Sequence, residues 1–246
     1  MPNTKTTLLR DLHKPGDPLL LPNVWDAAGA TIVAEAGFPA LATASASIAA
    51  MLGHDDHEGA PAAEMFDAAA RIIRAVGVPV TVDAEAGYGL PPEELAARLT
   101  AIGAAGFNYE DTDHRAGGLV DVETQVSRIA ALRAANADLV INARVDLFLT
   151  GSAPVEEVAE RGRRYLEAGA DCVFPIMAPS EEVIAELVKA TPGPVSVTCL
   201  PGMSLGRLAA LGVARVSFGP MTYLVALEAL KSFAARVRAG QDPYAT

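Results

Sequence analysis

The chain has 246 residues, of which 51% are hydrophobic, and a formal net charge of −11 at pH 7. No apolar run approaches the ~18 residues that a membrane-spanning helix needs. The acidic balance opposes binding to nucleic acid or anionic lipid, since both require a basic surface. An anionic small molecule can still bind where a local cation receives it. The N-terminal segment has no apolar stretch leading to a small-residue cleavage site, which predicts a cytoplasmic protein.

Short apolar runs rich in β-branched residues alternate along the chain with segments of helical periodicity. Helical periodicity is clearest at 155–168, where apolar residues return every three or four positions. Pro92 and Ser180, each followed by two glutamates, are typical of helix starts. The apolar runs predict eight strands, at residues 19–24, 39–45, 78–83, 106–110, 138–144, 172–177, 194–199 and 213–218.

Glycines stand at the junctions between several predicted helices and the strands that follow them. Gly is the residue that adopts positive φ without steric cost, and helices commonly end on such a residue. The pattern therefore predicts helix C-caps with positive φ at Gly37, Gly106, Gly169 and Gly212.

The order of these elements predicts the fold class. Strands that alternate with helices indicate a parallel sheet, and eight such units in about 250 residues are typical of a (βα)8 TIM-type barrel. We expect residues 1–246 to form one such α/β domain. The main competitor is an open doubly wound sheet, which usually carries Gly-x-Gly-x-x-Gly after its first strand, and residues 20–30 contain no such motif.

Polar side chains end three consecutive predicted strands, at the end where the active site of a barrel lies. Asp83 and Glu85 are two residues apart, so both carboxylates point to the same face of an extended backbone. Glu110 ends the next strand and Arg144 the one after it. Neighbouring strands lie about 4.8 Å apart, so these groups converge. Packed carboxylates resist ionisation unless a cation lies among them, and oxygen ligands suit Mg²⁺ or Mn²⁺.

These residues also have structural interpretations. An acid after a strand often caps the following helix, although four acids on adjacent strand ends favour a metal site. Alternation turns Asp111 away from Glu110, toward a structural partner. Arg144 can pair with the neighbouring acids, or it can receive a substrate carboxylate, for which its planar guanidinium is well shaped.

The chain after the second predicted strand is suited to covering the site. Residues 43–48 are mostly small, and their backbone N–H groups are suited to cradle an anionic oxygen. Residues 52–59 are rich in acids and histidine and predict a loop able to close over the barrel mouth. His54 and His57 are three apart, but no third soft ligand is evident, which favours a solvated loop over a metal site.

Several motifs, taken in order, resemble the isocitrate lyase/phosphoenolpyruvate mutase superfamily. The match extends over roughly residues 20–150, and the later strands fit the same barrel. Its most specific part is the acidic Gly-Tyr-Gly segment together with the Glu-Asp pair. The matching motifs are Trp25-Asp26-Ala27, the Ser/Ala-rich segment 43–50, Leu52-Gly53 with Asp56, VDAEAGYG at 82–89, Glu110-Asp111 and ARVD at 143–146.

This resemblance implies a Mg²⁺-dependent enzyme, with Mn²⁺ as an alternative, that cleaves or forms C–C or P–C bonds in small 2-oxo acids through a metal-stabilised enolate. It also implies a homo-oligomer, a dimer or tetramer, in which the last helix, at 222–238, is exchanged between subunits. By position, Asp83 resembles the direct metal ligand, and the ligands held through water are Glu85, Glu110 and Asp56. The residues at substrate-binding positions are Trp25, Ser45, Ala46, Ser47 and Arg144.

Two departures from the family pattern shape the expected reaction. Glu85 stands where the family usually has Asp. The loop at 112–119 lacks both the catalytic Cys of the lyases and the Lys-Thr-Asn-Ser segment of the phosphonate-forming mutases. We therefore expect a decarboxylase or general 2-oxo acid lyase with an oxaloacetate- or methylisocitrate-like substrate. Tyr88 and His114 are the candidates for proton transfer, beside the catalytic Arg144.

Three other functions remain open. The first is a P–C bond mutase or hydrolase acting on phosphonopyruvate or phosphoenolpyruvate, which demands further cationic donors for the phosphoryl group. The second is a non-catalytic barrel that binds a metal and a 2-oxo acid as a sensor. The third, a hydroxymethyl transferase, requires a folate-like donor that no feature of the sequence demands.

Overall fold

A computed structural model describes residues 4–151 and 153–244, which form nine strand segments and ten α-helices. The strands are β1 (Leu19–Leu21), β2 (Asn23–Val24), β3 (Leu41–Thr43), β4 (Val80–Asp83), β5 (Gly106–Glu110), β6 (Val140–Val145), β7 (Cys172–Pro175), β8 (Ser196–Thr198) and β9 (Arg215–Ser217). The helices are α1 (Thr4–Asp11), α2 (Ala27–Glu35), α3 (Ser45–Leu52), α4 (Ala62–Ala75), α5 (Pro92–Ile102), α6 (Val122–Ala135), α7 (Val155–Glu167), α8 (Glu181–Ala190), α9 (Leu205–Ala210) and α10 (Met221–Arg238).

The strands close into a ring of eight. Six of them pair in parallel in the order β2-β3-β4-β5-β6-β7, and three more in the order β1-β9-β8. β1 and β2 are two parts of one strand divided at Pro22, which has no N–H to donate to a ladder. A single parallel bridge between Val173 and Val195 joins β7 to the segment before β8. The fold is thus the predicted (βα)8 barrel, and each of the eight predicted strands overlaps an observed one.

The glycines at the helix–strand junctions follow the prediction at three positions and depart from it at one. Gly106 is the first residue of β5 and not a helix cap. Glycine is needed there for close approach, because a Cβ would lie 2.6 Å from the carbonyl oxygen of Val140. The preceding helix ends instead at Gly103, with φ of 83°. The three glycines with the predicted positive φ are Gly37, Gly169 and Gly212.

Two helices have no counterpart among the predicted elements. α1 precedes the barrel, and its fully buried Leu9 packs with Leu19 and Val140, near the starts of β1 and β6, so this helix closes the base of the barrel. α3 begins at Ser45, so the small-residue segment predicted as an anion cradle is the first turn of a helix. No helix in the part of the chain that the structure describes is both long and apolar enough to cross a membrane.

The base of the barrel contains a buried histidine that makes stability depend on pH. His13 is 8% exposed, its Nδ1 donates to the carbonyl of Leu9 at 2.7 Å, and its Nε2 has no partner. Burial, helped by the charge of Arg215, lowers the His13 pKa from 6.5 to about 4. The folded state therefore favours the neutral ring. The contribution of this ring to stability is complete above pH 6.5 and is lost as the pH falls toward 4.

We expect acidification from pH 7.5 to 4.5 to lower the free energy of unfolding of both the native protein and His13→Asn. The loss in the native protein should be larger by about 2 kcal/mol. The Asn amide can still donate to the Leu9 carbonyl but does not titrate. Urea unfolding at the two pH values measures the difference. Equal losses in the two proteins would show that His13 does not carry this pH dependence.

Candidate active site

The strand register brings four polar side chains together at the carboxyl ends of β4, β5 and β6. Asp83 is paired in register with Asn108, and Glu110 with Arg144. Asn108 and Glu110 are two residues apart on β5, so they share one face of that strand. The convergence predicted from the strand ends is therefore present, and it results directly from the parallel pairing.

Asp83 is oriented by the first turn of α3. Its Oδ2 accepts hydrogen bonds from the backbone N–H of Ser45 at 3.1 Å and from the Ser45 hydroxyl at 2.9 Å. The Nδ2 of Asn108 lies 3.4 Å from Oδ1. The predicted cradle and the predicted metal ligand are thus in contact, and the Ser45 N–H points at a carboxylate oxygen of the chain itself.

Glu85 is buried although its side chain is ionisable, and its backbone conformation is strained. It is 3% exposed and has φ of 48°, in the left-handed region. Its Oε2 accepts from the backbone N–H of Glu58 at 2.6 Å, and its Oε1 accepts from the hydroxyl of Tyr88 at 2.8 Å. Burial raises the pKa of Glu85 to about 7. Strained residues of this kind concentrate at functional sites.

Glu110 joins the two sides of the site. It is 2% exposed, its Oε1 lies 2.5 Å from Nε2 of His114, and its Oε2 lies 2.6 Å from Nη2 of Arg144. Burial raises the pKa of Glu110, and the neighbouring carboxylate in turn raises the pKa of His114. A positive group is therefore favoured next to this carboxylate.

Ligand atoms of Glu85, Glu110 and His114 all lie within 4.8 Å of one another, which fits a divalent cation. Two of the four metal ligands predicted from the sequence belong to this group. The carboxylate of Asp83 is near enough to raise the pKa of both glutamates. Asp56 is partly exposed, its charge contributes to the raised pKa of Glu85, and it lies outside the compact group.

Arg144 is held rigidly by two carboxylates. Its Nε and Nη2 donate to the two oxygens of Asp146, each at 2.6 Å, and Nη2 also pairs with Glu110. The residue is 8% exposed, and none of the described residues accepts a hydrogen bond from Nη1. The salt-bridge interpretation of Arg144 is confirmed. The sequence motifs predict no role for Asp146, although the two-residue spacing from Arg144 places both on one face of the strand.

Asp111 turns away from the site, as strand alternation predicts. It accepts from the backbone N–H of Asp146 at 2.8 Å, from the hydroxyl of Tyr165 at 2.7 Å and from Nη1 of Arg161 at 3.1 Å. Tyr165 and Arg161 of α7 thus hold Asp111 in place. Asp111 binds the backbone of Asp146, and the Asp146 side chain binds Arg144.

The remaining predicted site residues lie around the mouth. Trp25 is partly exposed and packs edge-on against Tyr223 of α10, with ring centroids 5.1 Å apart. Ala46 is partly exposed, whereas Ser47 is buried and its hydroxyl has no partner. Tyr88 has φ of 57° and burial raises its pKa.

The two histidines of the loop after α3 do not form a metal site with each other. His54 pairs with Glu64 at 3.3 Å, and the ring of His57 lies 5.4 Å from that of His114. A cavity of about 350 Å³ lies beside this loop, and its charged and titratable lining residues are Glu58, Asp113, His114, Arg115 and Arg128. The cavity thus offers two guanidinium groups, whose formal charges are balanced by those of Glu58 and Asp113.

Comparisons with known proteins agree on one family. A family model described as phosphoenolpyruvate phosphomutase matches residues 9–238. An uncharacterized protein of Mycobacterium tuberculosis is 36% identical over 96% of this chain and 92% of its own length. The 2-methylisocitrate lyase of Aeropyrum pernix is 32% identical over 76% of this chain and 63% of its own length.

Solved structures lead to the same group. A provisionally assigned phosphonomutase from Burkholderia cenocepacia is 42% identical and superimposes with a TM-score of 0.90, over 95% of this chain and all of the other. Further relatives are a 2,3-dimethylmalate lyase, a phosphoenolpyruvate phosphomutase and an oxaloacetate acetylhydrolase. The named relatives with an assigned reaction are thus two lyases, a phosphomutase and an acetylhydrolase.

Proposed function

Because the chain belongs to the phosphoenolpyruvate phosphomutase family, we propose that it is a divalent-metal-dependent carbon–carbon lyase or decarboxylase. Its substrate would be a small 2-oxo acid or a related di- or tricarboxylate, such as oxaloacetate or 2-methylisocitrate. The observation that carries the proposal is the position of Arg144. A buried guanidinium, fixed by Asp146, lies directly beside a group of carboxylates at the barrel mouth.

The residues proposed to hold the cation are Asp83, Glu85, Glu110 and Asp56, and their oxygen donors fit Mg²⁺ or Mn²⁺. When bound there, the cation supplies positive charge for the keto oxygen on which electrons collect as the bond at C3 breaks. The relatives named as lyases support this chemistry.

Arg144 is proposed to bind the substrate carboxylate. Its Nε and Nη2 are held by Asp146, so the guanidinium plane is fixed before the substrate arrives, which avoids the entropic cost of ordering it later. Of the predicted cradle of Ser45, Ala46 and Ser47, the Ser45 N–H is engaged by Asp83. The backbone N–H groups of Ala46 and Ser47 would therefore donate to the 2-oxo acid, since a helix N-terminus favours negative charge. Trp25 would contact the substrate from the opposite side of the mouth.

Proton transfer after bond cleavage is assigned to the hydroxyl of Tyr88 or the ring of His114. Tyr88 Oη donates to Glu85, and His114 Nε2 lies against Glu110, so each group has a carboxylate with which to exchange a proton. Either side chain could take the place of the loop cysteine that this chain lacks.

A second candidate function is cleavage or rearrangement of a P–C bond. Arg115 and Arg128 line the cavity beside the metal ligands, and guanidinium groups suit a phosphoryl group. This arrangement favours a substrate such as phosphonopyruvate. The non-catalytic alternative, a metal-dependent 2-oxo acid binding protein, needs only the ligands and Arg144.

The test is turnover of oxaloacetate, 2-methylisocitrate, isocitrate, 2,3-dimethylmalate and phosphonopyruvate, each with Mg²⁺ or Mn²⁺ and with EDTA. Metal-dependent formation of pyruvate from oxaloacetate, or of a 2-oxo acid fragment from a tricarboxylate, is the expected result. Turnover of phosphonopyruvate alone would select the second function. No turnover, with pyruvate or oxalate still raising Tm in the presence of metal, would select the binding protein.

We also propose that the protein is a homo-oligomer, a dimer or tetramer, formed through α10. None of the 18 residues of this helix is buried, although many are apolar. The apolar residues that it exposes include Leu224, Val225, Leu230, Phe233 and Val237. So many exposed apolar side chains on one helix indicate an interaction surface.

Light scattering coupled to size exclusion is expected to give a mass of two or four chains. The double variant Leu224→Glu/Leu230→Glu should run as a monomer, because two buried charges at an apolar interface are unfavourable. Ile32→Glu provides the control, since Ile32 is 68% exposed on α2. A monomeric native protein would contradict the proposal.

A further inference from the structure

His114 lies within reach of a cation bound by the two glutamates. Its Nε2 is 2.5 Å from Oε1 of Glu110, and ligand atoms of His114, Glu110 and Glu85 all lie within 4.8 Å of one another. Ligands about 2.1 Å from an octahedral ion are about 3 Å apart when adjacent and about 4.2 Å apart when opposite. The three side chains can therefore occupy positions on one ion with small movements.

The position of His114 is fixed by a tight turn. Oδ1 of Asp113 accepts hydrogen bonds from the backbone N–H groups of Arg115 at 3.0 Å and of Ala116 at 2.9 Å. An antiparallel bridge between Thr112 and Leu119 closes the same loop. The His114 side chain is 9% exposed, so the imidazole is held inside the mouth and little ordering is needed to bring it to a ligand.

The donor set changes once an imidazole is included. Mg²⁺ binds oxygen ligands almost exclusively, whereas imidazole nitrogen suits the first-row transition metals. A carboxylate–imidazole set therefore binds Mn²⁺, and the later ions of the series more strongly still, in preference to Mg²⁺.

We propose that His114 is a direct ligand of the active-site cation, so that this chain selects a first-row transition-metal ion over Mg²⁺. This inference rests on the proposed metal-dependent function and deepens it. It commits the Nε2 lone pair of His114 to the ion and leaves the hydroxyl of Tyr88 as the group that transfers the proton. His57, whose ring is 5.4 Å from that of His114, lies outside the ligand group.

The experiment starts from full-length protein stripped with EDTA. Mn²⁺ binding is followed by the loss of the free-ion electron paramagnetic resonance signal, and Mg²⁺ affinity is obtained by competition. We expect tighter binding of Mn²⁺ than of Mg²⁺. His114→Gln, which keeps the size and supplies an oxygen in place of nitrogen, should weaken Mn²⁺ binding about 10-fold or more and leave Mg²⁺ binding nearly unchanged.

Electron spin-echo modulation of the bound Mn²⁺ identifies the ligand independently of activity. The native protein should show coupling to an imidazole ¹⁴N nucleus, and His114→Gln should lose it. His57→Gln is the matched control and should keep both the coupling and the Mn²⁺ affinity. Bound Mn²⁺ without ¹⁴N coupling, or coupling that disappears only in His57→Gln, overturns the inference while the metal site stands. Failure of the native protein to bind either ion overturns the metal-dependent function itself.

Discussion

Replacing Arg144 with Met is expected to abolish turnover and to lower the free energy of unfolding by about 3–5 kcal/mol. The side chain is nearly the same length, but Glu110 and Asp146, which are 2% and 0% exposed, would lose their shared cation. Unpaired buried carboxylates are strongly destabilising. Urea unfolding measures the loss of stability, and kcat/KM for whichever substrate is turned over measures the loss of turnover.

Arg144→Lys separates charge from geometry. Lys keeps the positive charge, so most of the stability should remain, but an ammonium group cannot donate in one plane to both oxygens of Asp146. A displaced cation would still misplace the substrate carboxylate, and kcat/KM should fall about 100-fold or more. An active Arg144→Met protein, or an Arg144→Lys protein with native kcat/KM, would contradict the proposed role.

Asp111→Ala is expected to destabilise the protein by about 3–5 kcal/mol, since it removes one partner of a buried ion pair. The change leaves the Tyr165 hydroxyl and the Asp146 backbone N–H without their acceptor and removes the carboxylate partner of Arg161. The midpoint of urea unfolding gives the loss directly.

An exposed ion pair provides the control for Asp111. Glu123 pairs with Arg164 at 2.7 Å, and its side chain is 67% exposed. Glu123→Ala should change the free energy of unfolding by no more than about 0.5 kcal/mol, because solvent screens such pairs. Similar losses in both variants would show that burial of the Asp111 cluster carries no special weight.

The barrel could be predicted because two independent regularities coincide in the sequence. The strands are apolar on both faces, as strands covered by helices outside and side chains inside must be, and glycine stops many of the helices before them. The prediction of a helix cap at Gly106 was wrong because the sequence does not distinguish a glycine needed for close approach to Val140 from one needed for positive φ. α1 carries few apolar residues, and only the position of Leu9 under the barrel shows what it packs against.

The part of the candidate site that could be predicted is the part whose positions follow from strand register. The pairing of Glu110 with Arg144 follows from the parallel ladder, and the turning away of Asp111 follows from alternation. What the sequence could not provide is the path of the loops. The left-handed backbone at Glu85 and the tight turn at Asp113 decide that His114, and not Asp56, stands with the two glutamates.

The number of paired residues differs between neighbouring strands of the barrel. β5 and β6 are paired in register over five residues, whereas β7 meets the segment before β8 through the single bridge between Val173 and Val195. Backbone amides between β7 and β8 have fewer hydrogen-bond partners on the neighbouring strand. Deuterium uptake through local opening of the barrel should therefore begin there. Asp83, Glu110 and Arg144 lie on β4, β5 and β6, inside the continuous six-stranded sheet. Opening along this seam would therefore leave the three strands of the candidate site paired with one another.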